Sequence, residues 1–239
     1  MAGHGKSRHL KRLASPVKWG LGKKKAVWAK KPVAGAHALK ESVPLTVLLR
    51  DVLGVVDNAS QAKHVVASGG VLVDARRVSD GAFGAGLMDV VSLPALGKNY
   101  RVIPKGRKLV AVEISGEAAK TKYCRVRNKV SADKSKVQLN LHDGRNLLIE
   151  REEDTFKPGD TLVLSVPEQE LKNVLRLSKG AKCLVYKGKH AGKTGEFVEL
   201  LESKGNKPSN AKLACEDGEL ITLKDYLFVV DAGFGANSK

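Results

Sequence analysis

The sequence predicts an α+β fold, mostly β, built as several small modules along one basic chain. Three observations carry that expectation. Helical periodicity is confined to one stretch between residues 44 and 69, and nearly everything after it alternates like strands. Only 5% of the 239 residues are aromatic, so the cores must be small and mainly aliphatic. The charges are segregated rather than interspersed, which marks out separate surfaces on an otherwise neutral framework.

Residues 1–42 form a basic N-terminal arm. Its first 40 residues hold eleven Lys/Arg and no acid, with two tryptophans, several glycines and little apolar periodicity. Such a segment buries too little surface to offset its own ordering entropy, so it is expected to order on its partner. Only 9–13 reads as a helical turn, limited by Pro16.

Residues 43–106 read as a small helix-rich α+β module. Leu45, Leu48, Leu49, Val52, Leu53 and Val56 recur at helical spacing, and Pro44 suits a first helical position. Ser60 is the expected N-cap of a second helix carrying Ala62, Val65 and Val66, closed by Gly69-Gly70. Short strands are expected at 71–73, 90–93 and 100–103, with a polar turn at 74–77 whose tip carries Arg76 and Arg77.

Residues 107–173 read as a central β domain, with strands at 109–114, 123–130, 137–141, 146–149 and 161–165. The run His142-Asp143-Gly144-Arg145 holds the Asp-Gly pair that favours a tight hairpin. Residues 174–239 read as a third, small β module. It has strands at 183–186 and 197–200, a loop at 204–210, two or three further strands to 230 and a frayed tail from 233.

The net charge of +17 points to a polyanionic partner. No run approaches the roughly 18–20 apolar residues that span a bilayer, and the start of the chain lacks the apolar core of a secretory signal. The basic segments are broken by Gly and Pro, which disfavours a membrane-surface helix. Nucleic acid is the expected partner, with no membrane and no small-molecule substrate. Cys124, Cys183 and Cys215 lie far apart and form no CxxC pair, which fits free thiols in a reducing cytoplasm. No metal is expected, because His4, His9, His37, His64, His142 and His190 show no ligand spacing.

Candidate phosphate contacts in the arm are Lys6, Arg8, His9, Lys11, Arg12, Lys18, Lys23, Lys24, Lys25, Lys30 and Lys31. Trp19 and Trp28 sit among these cations and suit base stacking, with packing onto the protein's own domains as the alternative. A second candidate is the loop Lys187-Gly188-Lys189-His190-Ala191-Gly192-Lys193-Thr194-Gly195. Glycine there permits positive φ and close approach of another backbone, so Lys187, Lys189 and Lys193 would stand beside exposed N–H groups. A nucleotide-binding phosphate loop is disfavoured. Gly188 and Gly192 enclose three residues where that motif needs four, and the sequence after Gly195 alternates as a strand.

The run from His9 to Pro16, Trp19, the segment 35–41 and Pro44-Leu45 together resemble the e-type (archaeal and eukaryotic) family of ribosomal small-subunit protein four. The likeness continues through Gly86-Leu87-Met88-Asp89-Val90, Tyr100-Arg101-Val102 and 141–146, and it ends in a glycine-rich loop that looks like a KOW motif. Members of that family often carry Pro where Ala36 stands. The resemblance implies a non-catalytic structural constituent, without a cofactor, that binds small-subunit rRNA beside neighbouring ribosomal proteins. It implies a C-terminal KOW-type small β-barrel, and it carries RNA contact in the first module onto Ser60, Lys63, Arg76 and Arg77. Two other classes share parts of this pattern. An RNA-modifying enzyme with the same module would need a catalytic domain that the short central segment does not offer, and a KOW-type transcription factor should lack the basic arm.

Overall fold

The computed structural model describes residues 9–22, 24–133, 135–201, 208–215, 218–231 and 234. The expected loop at 204–210 and the tail from 233 lie largely outside them.

The arm is folded onto the protein. Strands β1 (Leu10–Lys11) and β2 (Trp28–Ala29) pair antiparallel, with two 3-10 turns between them at Arg12–Ala14 and Val17–Trp19. Gly20, at φ 65°, closes the second turn. The indole of Trp19 is buried in the main core among Val43, Leu45 and Leu48. The expected arm without structure of its own is therefore corrected for the described residues. The low apolar content is offset because a single large aromatic supplies the anchor.

Next come β3 (Ser42–Pro44), α1 (Leu45–Val47) with its π-helical continuation Leu48–Val52, and α2 (Ala59–Ala67). Pro44 is the N-cap of α1, one residue before the expected position. The cap of α2 is Asn58, whose side-chain oxygen accepts from the Gln61 N–H at 2.9 Å, and not Ser60. Either residue type can cap; the backbone turns at Asn58.

Strands β4 (Leu72–Val73), β5 (Arg76–Arg77), β6 (Gly84–Gly86), β7 (Val90–Leu93), β8 (Lys98–Lys105) and β9 (Lys108–Ile114) follow. They give a sheet of order β5-β4-β7-β8-β9 beside the pair β3-β6. The turn expected over 74–77 is confined to Asp74 and Ala75, both at positive φ, so Arg76 and Arg77 stand on β5. The expected boundary between residues 106 and 107 falls in the β8–β9 turn. Strand β9 belongs to the first sheet and Leu109 to its core, because pairing with β8 runs the whole length from Asn99 to Lys105.

After α3 (Gly116–Ala119), strands β10 (Thr121–Ser131), β11 (Lys136–Leu141), β12 (Asn146–Glu150), β13 (Thr161–Ser165) and β14 (Leu171–Leu175) form a sheet of order β12-β11-β10-β13-β14. The expected boundary at 173 falls inside β14. Strands β15 (Lys182–Val185), β16 (Thr194–Leu201), β17 (Asn210–Cys215), β18 (Gly218–Leu223) and β19 (Leu227–Val229) make the last sheet, in the order β18-β17-β16-β15-β19. A further apolar cluster joins all three units: Met88 from the first, Tyr123 and Val163 from the second, and Leu184 and Phe228 from the third. No helix among the described residues is long and apolar enough to cross a membrane.

Candidate nucleic-acid interface

The structure divides the arm's candidates into two sets. His9, Lys11, Lys24, Lys25, Trp28 and Lys30 are exposed, Lys18 and Lys31 are half-buried, and Lys6, Arg8 and Lys23 lie outside the described residues. Trp28 is 57% exposed and its ring lies 5.6 Å from that of His9. Arg12 and Trp19 face inward, at 3% and 2% exposure. The Arg12 guanidinium donates to the Gly22 carbonyl at 2.7 Å and to Asp51 at 3.2 Å; the Trp19 indole N–H donates to the Ser42 carbonyl at 2.5 Å. A buried cation and a buried indole both need such partners. These two residues hold the arm in place, and the exposed ones present a basic, aromatic face.

Ser60 and Lys63 lie exposed on α2, three residues apart and so on one helix face. Arg76 and Arg77 are exposed on β5. Arg77 donates to the Ser68 carbonyl at the end of α2 at 2.9 Å and covers Gly69, which joins helix and strand into one surface.

The glycine-rich loop links β15 to β16, and a strand follows it where a nucleotide-binding loop would need a helix. Gly188 and Gly192 have φ values of 85° and 88°. A Cβ on Gly192 would come within 2.6 Å of the Gly106 nitrogen, and one on Gly195 within 2.7 Å of the Ala214 carbonyl oxygen. The close backbone approach expected at both glycines is thus made by the protein's own chain. Lys187 pairs with Glu41 at 2.5 Å, with its ammonium 5.3 Å from the centre of the Tyr186 ring. Lys189 and Lys193 are exposed and His190 is half-buried.

Beneath these surfaces lies a buried ionic cluster that local sequence patterns do not reveal. Lys122 Nζ meets Asp74 at 2.6 Å, Asp89 at 2.6 Å and Asp143 at 3.0 Å, and Arg145 meets Asp74 at 2.7 Å. His37 joins it through Asp89 at 3.1 Å. Burial disfavours each charge, but the partners outweigh it: Asp89 and Asp143 are held below the usual carboxylate range, while Lys122 and His37 are raised. Asp74 goes the other way, raised by burial and by the neighbouring Asp89.

Cys124, His142 and Asp143 place potential ligand atoms within 4.8 Å of one another. They do not suit a metal. The Arg125 N–H occupies His142 Nδ1, His142 Nε2 lies 3.1 Å from the Leu87 carbonyl, and Asp143 is taken by Lys122 and Arg145. Burial pushes the Cys124 thiol well above its ordinary range, which leaves no thiolate.

Outward-facing cations on three separate surfaces, two with aromatic neighbours, fit the class of basic, multi-module binding proteins. Comparison with known proteins narrows this. The Ribosomal family S4e matches residues 96–171, and the RS4NT (NUC023) domain matches residues 4–40. Small ribosomal subunit protein eS4 of Methanocaldococcus jannaschii is 42% identical over 237 residues, with 96% of each chain covered. Its counterpart from Methanothermobacter thermautotrophicus is 41% identical over 225 residues, covering 93% of this chain and 92% of its own. The crystal structure of the 30S ribosomal protein S4e from Thermoplasma acidophilum superposes with a TM-score of 0.69 at 30% identity, over 81% of this chain and 97% of that one. The chain belongs to the Ribosomal family S4e.

Proposed function

We propose that this protein is a structural, non-enzymatic constituent of the small ribosomal subunit that binds small-subunit rRNA through phosphate and shape contacts. The observation that carries the reading is its identity with small ribosomal subunit proteins over almost its whole length. The charge supports it independently, since a net +17 with exposed cations on separate surfaces suits a folded polyanion. In this reading the exposed arm cations with Trp28, the α2–β5 face with Ser60, Lys63, Arg76 and Arg77, and the loop with Lys189 and Lys193 are the contacts. The last sheet with its glycine-rich loop is a KOW-type small barrel, and neighbouring ribosomal proteins complete the surroundings in the cytoplasm. Arg12 and Trp19 act from inside by fixing the arm. Sedimentation of the native protein in high salt tests the assignment. Co-migration with small subunits is expected, and migration as free protein would refute it.

A further inference from the structure

Where the arm, the β8–β9 turn and the glycine-rich loop meet, the surface closes into a cleft of about 440 Å³. Lys18 and Lys40 come from the arm, Arg107 and Lys108 from the turn and Lys187 from the loop; Glu41 is the one acid on its lining. Tyr186 and Tyr226 line it too, and both also line an adjoining cleft of about 640 Å³ that brings in Arg125 and Arg127. Five cations against one carboxylate leave the first cleft with an excess of positive charge from three separate parts of the chain.

Glu41 shows what such a place prefers. Its carboxylate sits on Lys187 and is held below its ordinary range, although burial pushes the other way, by Lys187 and then Lys18. Lys18 is itself lowered, chiefly by burial, with Glu41 opposing and the nearby Lys187 charge adding to it. With five cations on the lining, one carboxylate leaves the site short of negative charge. A phosphodiester presents the same pair of anionic oxygens and the same single charge. A cleft of this volume lies within the ~300–1,000 Å³ range of sites that enclose a small ligand, the scale of a single nucleotide and not of a duplex. The tyrosines supply the aromatic surface that unpaired bases use. Gly188 is what lets Tyr226 lie against the loop, since a Cβ there would be 3.2 Å from the ring.

We propose that this cleft receives one unpaired nucleotide of the RNA, its phosphodiester replacing the Glu41 carboxylate at Lys187 and its base lying on Tyr186 and Tyr226. The proposal rests on the rRNA-binding reading above and adds where a single-stranded element enters. Glu41 is then an internal occupant of the phosphate position, displaced on binding.

The test uses the full-length chain, fluorescence anisotropy, and single-stranded and duplex RNA oligonucleotides of equal phosphate number. Glu41→Gln should tighten single-stranded RNA about two- to fivefold, the scale of one partly exposed ion pair. Tyr226→Leu keeps an apolar body over Gly188 and should weaken it roughly 5- to 150-fold, the range for loss of one base–aromatic stack. Duplex affinity should stay unchanged in both. Equal effects on the two RNAs, or weaker single-stranded binding by Glu41→Gln at an unaltered Tm, would overturn the proposal and leave Glu41 as a structural pin. Should Tyr226→Leu lower the Tm, Glu41→Gln decides alone. An acidic peptide that displaces the single strand from wild type but not from Glu41→Gln would make a protein segment the occupant, against the proposal. Wild type that binds neither RNA would instead sink the RNA-binding reading itself.

Discussion

Lys122 Nζ lies 2.6 Å from Asp89 Oδ1, with 1% and 3% of the two side chains exposed. The lysine stands near the start of the central sheet and the aspartate precedes β7 of the first, so this buried ion pair helps to tie the two units together. Asp74 and Asp143 surround the same ammonium and Arg145 offsets part of their charge. The cluster is balanced only as a whole. Lys122→Met should therefore cost about 3–5 kcal/mol, because three carboxylates lose their main counter-charge inside the protein. Urea denaturation measures it. A loss below about 1 kcal/mol would mean that water already reaches the cluster.

The two histidines beside this cluster should give stability opposite slopes in two pH windows. Burial holds His142 neutral in the fold, down to about pH 4, whereas an unfolded chain protonates it near 6.5. Acidification from 6.5 towards 4 thus favours the unfolded state, by about 3 kcal/mol in full. His37 is raised, burial being outweighed by Asp89. Its contribution is complete below 6.5 and is lost as the pH climbs through the raised value. His142→Asn should flatten the acidic limb and His37→Gln the alkaline one, read from urea midpoints across pH 4–8.

Gly192 and Gly180 make a matched pair. Both have positive φ, but a Cβ on Gly180 meets nothing within 4 Å, whereas one on Gly192 strikes the backbone of the β8–β9 turn. Gly180→Ala should cost only the conformational strain, ~1 kcal/mol. Gly192→Ala should add to that by levering the loop off the first sheet, which thermal denaturation and proteolysis of the loop would report. Equal melting temperatures for the two variants would mean that the loop does not dock there.

Affinity for rRNA should fall steeply with salt. About ten neutralised phosphates give a slope of log K on log[salt] of roughly −7 to −9. Because Arg12 and Trp19 belong to the fold, truncating the arm would damage the core and confuse the measurement. Changing the exposed Lys11, Lys24, Lys25 and Lys30 to Gln avoids that, and should reduce the slope by about 3. An unchanged slope would place these charges away from phosphate.

Part of this molecule was legible from its residues in order. Strands β11 and β12 alternate strongly enough to be seen, because burial on one face of a sheet imposes a period of two, and the fully buried β13 showed instead as a short apolar run. The Asp-Gly turn after β11 was equally visible, with Gly144 at φ 79°. The separation of charge into blocks pointed to nucleic acid without any coordinates. Strands of two or three residues such as β1, β3 and β6 were not visible, since so short a run has no period to read.

Tertiary structure decided which chemically similar residues do which job. Trp19 and Trp28 share a basic neighbourhood in sequence, yet one is sealed in the core and the other stands in solvent. Lys122 looks like any lysine of a basic segment, and only the fold brings Asp74 and Asp89 to it from 48 and 33 residues away. Local patterning sets the period and sign of a segment, because those depend on neighbours in the chain. Whether a given cation is buried depends on the dielectric around it and on counter-charges from remote segments, and these exist only once the sheets have packed.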